Sequence, residues 1–132
     1  MSGVDFELAG GLIIVPVFVN KRGPFYFALD TGASNTILAR ELAEELGVRG
    51  VIRAQGLGAG GSLDVRLGVV EELRIGSFEL RDLTVGITDL SALKEALGRR
   101  IDGIIGYDVL KDAVVVIDYR AQRLDIRRPR GP

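Results

Sequence analysis

The distribution of apolar residues predicts a chain built mostly of strands. Residues 12–19 form an apolar run rich in β-branched side chains, which is typical of a strand. Residues 20–24 have the composition of a hairpin loop, and the apolar residues 25–29 that follow predict a second long strand. Because a hairpin joins them, we expect these two strands to be antiparallel neighbours.

Two helices and further strands complete the predicted pattern. Leu38, Leu42 and Leu46 recur at helical spacing, and Gly47 is expected to end this first helix. Residues 89–98 have the amphipathic pattern of a second short helix. The remaining strands are predicted over 4–8, 51–54, 63–69, 73–75, 78–87, 113–119 and 123–127.

One acidic residue, Asp30, follows the second predicted strand directly. A carboxylate at the end of an apolar strand is expected to leave water, which is costly unless its oxygens accept hydrogen bonds or share a proton. Thr31, Gly32, Ser34 and the amides of the turn are candidate donors. Asp-Thr-Gly is also ordinary turn chemistry, and by chance it occurs in roughly a few per cent of chains this long. The tripeptide alone therefore identifies no site.

Composition restricts the class of protein. The chain has 132 residues, of which 47% are hydrophobic, and this predicts one domain over residues 1–132. A net charge of −1 gives no general attraction to nucleic acid or to a membrane surface. Residues 12–19 are too few to span a bilayer, and the N-terminus lacks the pattern of a signal peptide. We therefore expect a soluble cytoplasmic protein.

The absence of cysteine and histidine from the sequence excludes several kinds of active site. Ser-His-Asp and Cys-His mechanisms need an imidazole to carry the proton, and zinc sites usually need His or Cys ligands. No metal or cofactor is predicted. Acid and base catalysis would have to come from carboxylates, lysine or tyrosine.

A glycine-rich stretch separates two predicted strands. Gly56, Gly58 and Gly61 satisfy the Gly-x-Gly-x-x-Gly spacing of dinucleotide sites, but such a site needs a helix to begin there, and a strand is predicted instead. We therefore interpret Gly58, Ala59, Gly60 and Gly61 as the tip of a mobile hairpin flap. An ordinary flexible surface loop is the alternative.

Three aspartates in the second half of the chain raise the question of a metal site. Asp102, Asp108 and Asp112 could form an oxygen-ligand metal cluster. Capping and surface roles around a short helix are the simpler interpretation. Between the first two, Ile104-Ile105-Gly106 places two branched residues before a glycine, which permits close contact with a neighbouring backbone.

Three elements in this order resemble a retropepsin-like aspartic protease: residues 29–34, the glycine-rich hairpin tip, and residues 104–106 followed by the helix-like 107–110. The similarity extends from residue 12 to about residue 127. It implies a closed, mostly antiparallel β barrel in which the apolar-apolar-Gly segment packs beside the catalytic loop. It would make Asp30 the catalytic residue and would place the hairpin tip over the substrate.

The chemistry of peptide hydrolysis requires a second carboxylate. One carboxylate removes a proton from water while the other, still protonated, donates to the carbonyl oxygen. Asp-Thr-Gly occurs once, so we predict a homodimer in which Asp30 of each subunit meets at the two-fold axis. By resemblance, Thr31 would hydrogen-bond across that axis and Gly32 would let the backbones approach.

The resemblance also makes predictions for the dimer interface and the substrate. Residues 4–8 and 124–127 could interleave between the two subunits. Subsites lined by leucine, isoleucine and valine would favour peptide or protein substrates with apolar residues at the cleaved bond.

The sequence departs from the viral members of this family at three places. Ser34 and Asn35 replace acidic residues, and Tyr107 replaces the arginine that can pair with them. Ala33 lacks a hydroxyl that some relatives use as a donor to the carboxylate, so activity is predicted to peak at mildly acidic to near-neutral pH. A pH-rate profile highest near pH 2 would contradict this.

Two further hypotheses remain open at this point. The same fold could serve as a catalytically weak dimeric peptide-binding module, although the intact Asp-Thr-Gly argues against it. The chain could also be an ordinary β domain that contains the motif by chance.

Overall fold

The computed structural model describes residues 3–58 and 61–130, and the side chains of residues 3–53 and 64–130. This part of the chain contains eleven strands and three short helices, so the prediction of a mostly β protein is confirmed. The elements in chain order are β1 (Val4–Asp5), β2 (Glu7–Ala9), β3 (Leu12–Val19), β4 (Arg22–Leu29), β5 (Ile37–Ala39), α1 (Arg40–Leu46), β6 (Ile52–Gly58), β7 (Gly61–Ile75), β8 (Phe78–Thr88), α2 (Ser91–Leu97), β9 (Gly103–Ile105), α3 (Tyr107–Leu110), β10 (Val114–Asp118) and β11 (Arg123–Arg127).

Both predicted helices are present, with shifted starts. Leu38 lies in β5, and α1 begins only at Arg40, so helical spacing extended the prediction into a neighbouring strand. Gly47 ends α1 with a left-handed φ of 71°, and Gly98 ends α2 in the same way with a φ of 65°. Glycine adopts this backbone conformation without a Cβ penalty, which explains why both helices stop where the sequence indicates.

The larger sheet has eight strands in the order β2-β3-β4-β9-β5-β8-β7-β6. The predicted β3–β4 hairpin is antiparallel, with Ile14 opposite Ala28 and Val17 opposite Phe25. An additional antiparallel pairing joins β3 to β7 through Phe18 and Arg74.

The sheet is mostly antiparallel, as expected, but two of its pairings are parallel. Strands β4 and β9 pair in parallel, and so do β5 and β8. A parallel pair requires a long crossover between its strands. The chain between β4 and β9 provides one, since it contains β5 to β8 and the first two helices.

A second, three-stranded sheet has the order β1-β11-β10. Val4 lies opposite Leu124 of the same chain, and β10 pairs with β11 over five residues. Residues 4–8 and 124–127 were expected to interleave between subunits. Strands β1 and β11 pair within one chain, and the role of these residues at a subunit interface stays a prediction. Strand β10 is left at the edge of this sheet.

The core is formed by the apolar faces of both sheets and by α1. Phe27 in β4 and Val15 in β3 have no exposed surface. Tyr26, which lies next to Phe27 in β4, is only partly buried. Burying side chains of this size contributes about 1.5–3 kcal/mol each, so β4 is fixed firmly up to the residue that precedes Asp30.

Candidate active site

The strand that leads to Asp30 lies directly beside β9. Phe27, Ala28 and Leu29 are paired with Gly103, Ile104 and Ile105. At Gly103, an added Cβ would approach the carbonyl oxygen of Ile37 to 2.5 Å. A glycine is therefore required for β9 to fit between β4 and β5.

The turn after β4 is anchored to the end of β9. The amide of Asp30 donates to the carbonyl oxygen of Ile105 at 3.0 Å, and the amide of Ala33 donates back to the carbonyl of Asp30 at 3.1 Å. The amide of Tyr107 donates to the carbonyl of Ala33 at 2.7 Å. The turn is therefore held by backbone contacts with the segment that follows Ile104.

Gly106 lies against this turn. A Cβ at residue 106 would approach the carbonyl oxygens of Asn35 and Ala33 to 2.7 and 2.8 Å. The close backbone contact expected from Ile104-Ile105-Gly106 is thus present, and its neighbour is the turn that carries Asp30.

The Asp30 side chain is exposed in the single chain. Its Oδ1 accepts a hydrogen bond from the amide of Gly32 at 2.9 Å, and Thr31 and Ser34 make no such contact in the described part of the structure. The expectation that this carboxylate leaves water is wrong for one chain alone, because β4 ends at Leu29 and Asp30 lies beyond the sheet.

The side chains around Asp30 form an apolar cavity of about 540 Å³. Its polar groups are Asp30, Thr31 and the hydroxyl of Tyr107, a residue that is 55% exposed. The aliphatic residues that line it come from β3, β4, α3, β10 and the connection between α3 and β10, and include Leu12, Ile13, Leu29, Leu110, Ala113, Val115 and Ile117. A cavity of this composition accepts apolar groups beside a carboxylate.

The glycine-rich stretch is the tip of the β6–β7 hairpin. The backbone of these strands pairs from Ile52 opposite Leu67 to Gly58 opposite Gly61. A strand follows this tip, which agrees with the rejection of a dinucleotide site. The predicted flap residues Ala59 and Gly60 lie outside the described residues, and the flap role stays a prediction.

Two of the three aspartates considered as metal ligands have separate hydrogen-bond partners within the described residues. Asp102 accepts from the amide of Tyr26 at 2.8 Å and from Arg100, and Asp108 accepts from Thr36. No group of three or more acidic residues suited to a metal ion occurs in the described ranges.

The contact between Thr36 and Asp108 was not predicted from the sequence. Thr36 has no exposed surface. Its backbone N–H and its side-chain hydroxyl both donate to the Asp108 carboxylate. The sequence contains two features that could have indicated this contact. Thr36 is a hydroxyl residue between the turn and the apolar β5, and Asp108 is an aspartate two residues after Gly106.

The sequence of this chain matches a known protein family. Residues 15–109 match the family model described as aspartyl protease. The chain belongs to the aspartyl protease family. The match includes Asp30, Gly106 and all the strands that anchor them, so the retropepsin-like resemblance is confirmed.

Solved structures of retropepsin-like proteases share this fold. A retropepsin-like aspartic protease from Rickettsia conorii has a TM-score of 0.60 at 20% identity and covers 92% of this chain and 85% of its own. The retroviral protease-like domain of Ddi1 from Leishmania major has a TM-score of 0.59 at 22% identity, with coverages of 91% and 90%. The EIAV protease complexed with the inhibitor HBY-793 has a TM-score of 0.55 at 24% identity, with coverages of 80% and 88%.

No curated protein matches this chain in sequence. Within the described residues, each helix is too short to cross a bilayer.

Proposed function

We propose that this aspartyl protease is an endopeptidase whose catalytic dyad consists of Asp30 from two copies of the chain. The observation that carries the proposal is the location of Asp30: it follows a buried strand, beside an apolar cavity, on a turn anchored to Gly106 and its neighbours. The family match over residues 15–109 supports hydrolysis as the activity of such a site.

The proposed reaction uses the two carboxyl groups in different protonation states. Two carboxylates a few ångströms apart share one proton, because both cannot ionise comfortably at that distance. The ionised Asp30 removes a proton from water as the water oxygen attacks the peptide carbonyl carbon. The protonated Asp30 donates to the carbonyl oxygen. The hydroxyl formed at the carbonyl oxygen then returns its proton to the second Asp30, the carbon–nitrogen bond breaks, and the leaving nitrogen takes up the proton that the first Asp30 removed from water.

Exposure of Asp30 supports the requirement for a second copy. A single exposed carboxylate in water has neither the neighbouring acid nor the desolvated surroundings that this chemistry uses. A symmetric partner would supply both, since a two-fold axis near Asp30 brings together two identical turns. In this arrangement Thr31 hydrogen-bonds across the axis, and Gly32, also exposed, allows the two backbones to approach.

The edge strand β10 is the proposed centre of the dimer interface. Val116 is 54% exposed, and Val115 and Ile117 line the cavity that contains Asp30. An exposed, apolar, unpaired strand edge is a template for pairing with another chain. Pairing of β10 with its copy would join the two three-stranded sheets and cover the β10 side of both cavities.

The remaining assignments concern the substrate. The aliphatic lining of the cavity supports peptides with apolar side chains at the cleaved bond. The hairpin tip formed by Gly58, Ala59, Gly60 and Gly61 is proposed to close over them. The β3–β7 pairing supports closure of the larger sheet into a barrel that carries this hairpin.

Cleavage of reduced, unfolded casein tests the proposal. The wild-type protein is expected to cleave it, and Asp30→Asn is expected to abolish cleavage, because a neutral amide cannot serve as the base. Asp82→Asn is the matched control, since Asp82 is exposed and its left-handed φ of 51° suits asparagine. Equal cleavage by the wild-type and Asp30→Asn proteins contradicts the proposal. A wild-type protein that binds a statine-containing peptide without cleaving casein would instead be a peptide-binding module.

A further inference from the structure

A second carboxylate, Asp108, holds the far end of the turn that carries Asp30. We propose that Asp108 is a positioning residue, which acts through Thr36 to fix the orientation of the Asp30 carboxylate. The catalytic part of this inference rests on the proposed function. The structural part, that Asp108 orders the turn, does not depend on it.

Both oxygens of Asp108 contact Thr36. Oδ2 accepts from the amide of Thr36 at 3.0 Å, and Oδ1 accepts from its hydroxyl at 2.8 Å. Oδ1 also accepts from the amide of Val109 at 2.9 Å. Three neutral donors therefore satisfy this carboxylate, and none of the ion pairs in the described residues includes it.

The hydroxyl of Thr36 continues the network to Gly106. While it donates to Asp108, it accepts from the amide of Gly106 at 3.1 Å, in a buried position. Thr36 itself has no exposed surface. Buried polar groups that lose a partner have no water to replace it, so the members of this network depend on each other.

The turn is thereby held at both ends by one short segment. Its first residue, Asp30, is hydrogen-bonded to Ile105. Its last residue, Thr36, is hydrogen-bonded to Gly106 and Asp108. Between these ends, the exposed residues of the turn do not contribute to the core; they are Thr31, Gly32, Ser34 and Asn35. Together with the hydrogen bond from the amide of Gly86 to the carbonyl oxygen of Thr36, the contacts with residues 105–108 hold the turn that carries the Asp30 carboxylate.

The geometry specifies an aspartate at this position. An asparagine would present one carbonyl oxygen and one amide group in place of two acceptors. Whichever way that amide is turned, the backbone N–H of either Thr36 or Val109 would face another N–H group. Asp108→Asn should therefore loosen the turn partly, and Asp108→Ala should loosen it more.

A positioning role predicts a specific kinetic effect. The cavity beside Asp30 does not include Asp108, so KM for a peptide should change little. Misplacement of a catalytic group by about 1 Å can reduce the rate about 100-fold, so kcat should fall. We expect Asp108→Ala to lower kcat at least about ten-fold, with KM within about two-fold of the wild-type value.

The experiment uses a fluorogenic peptide with leucine and phenylalanine at the cleaved bond. Asp112→Ala is the matched control, because Asp112 is an exposed aspartate close to α3 with no hydrogen bond in the described structure. A kcat for Asp108→Ala within two-fold of that control overturns the inference. The inference is also overturned if the loss lies entirely in KM.

Variants of Thr36 provide a second test if Asp108→Ala does not fold. Thr36→Ser keeps the hydroxyl and is expected to keep kcat within about two-fold, whereas Thr36→Val removes it and should lower kcat as Asp108→Ala does. Equal values of kcat for the serine and valine variants contradict the proposed network.

Amide hydrogen exchange separates this inference from the proposed function. In Asp108→Ala, the amides of Thr36 and Gly106 should exchange at least ten-fold faster than in Asp112→Ala, while amides in β3 keep their protection. If the wild-type protein cleaves nothing, this measurement still tests whether Asp108 orders the turn. Unchanged exchange at both amides overturns that claim, whatever the activity.

Discussion

The amide of Asp30 donates to the carbonyl oxygen of Ile105 at 3.0 Å, so the backbone of the candidate catalytic residue is hydrogen-bonded to β9, a strand far along the chain. This contact extends the parallel ladder between β4 and β9 by one step beyond Leu29. Asp30 is therefore the point at which a buried strand continues into an exposed turn. Its backbone is fixed while its side chain stays accessible.

Gly106→Ala is expected to destabilise the protein by about 1–3 kcal/mol, because the new Cβ would overlap the carbonyls of Asn35 and Ala33. Urea unfolding measures the effect. Gly3→Ala is the control, since the nearest atom there is the end of the flexible Arg123 side chain, and its effect should stay within about 0.5 kcal/mol. Similar effects of the two substitutions would show that the backbone contact at Gly106 is unimportant.

Mixtures of wild-type and Asp30→Asn subunits should show whether two copies form one site. If subunits exchange freely, about one quarter of the dimers in an equal mixture contain two wild-type chains. Activity per total protein should therefore fall to about a quarter of the wild-type value rather than to half. A value of half, measured after subunit exchange, means that each chain works alone.

Val116→Lys should weaken the dimer, because a charged side chain on the exposed β10 edge opposes pairing with a second copy. Sedimentation equilibrium is expected to give a dissociation constant at least about ten-fold higher than for the wild type. The control is Val69→Lys on β7, since Val69 is 55% exposed and Val116 is 54% exposed. Equal dissociation constants for the two variants would place the interface elsewhere.

The pH dependence of stability should report the contact at the start of α2. Asp89 accepts from the amide of Ser91 at 2.9 Å, and this hydrogen bond lowers the pKa of Asp89 from its usual value of 3.8. Because the pKa is lower in the folded state, the stabilisation is present above the unfolded value and is lost as pH falls through the folded one.

Asp89→Ala should therefore lower the urea midpoint at pH 7, and the difference from wild type should shrink at pH values well below 3.8. Glu95→Ala is the control, since it removes an exposed carboxylate from α2 without touching the Ser91 amide. A difference between wild type and Asp89→Ala that stays constant down to strongly acid pH would contradict the assignment.

Short stretches of sequence were enough to predict the elements that depend only on neighbouring residues. The β3–β4 hairpin, the ends of both helices at glycine, and the position of Asp30 after a strand all follow from short stretches of sequence. The closeness of Gly106 to another backbone was also predicted, although the sequence did not name that backbone.

The features that the sequence did not predict depend on pairing between distant segments. Periodicity carries no information on the direction of β9 beside β4, and the contact between Thr36 and Asp108 joins residues 72 positions apart. The exposure of Asp30 depends on where β4 leaves the sheet, which the apolar pattern alone does not determine. The pairing of β1 with β11 within one chain was not predicted either, because the sequence does not distinguish pairing within a chain from pairing between chains.

The parallel pairing of β4 with β9 has a consequence for biosynthesis. Residues 103–105 and the glycine that follows are translated long after Asp30, and the turn lacks its contacts with them until they emerge from the ribosome. A nascent chain therefore carries Asp30 in a turn that lacks these contacts until translation has passed residue 106. The geometry of the proposed catalytic turn is therefore complete only after residues 103–106 have folded against β4 and the turn.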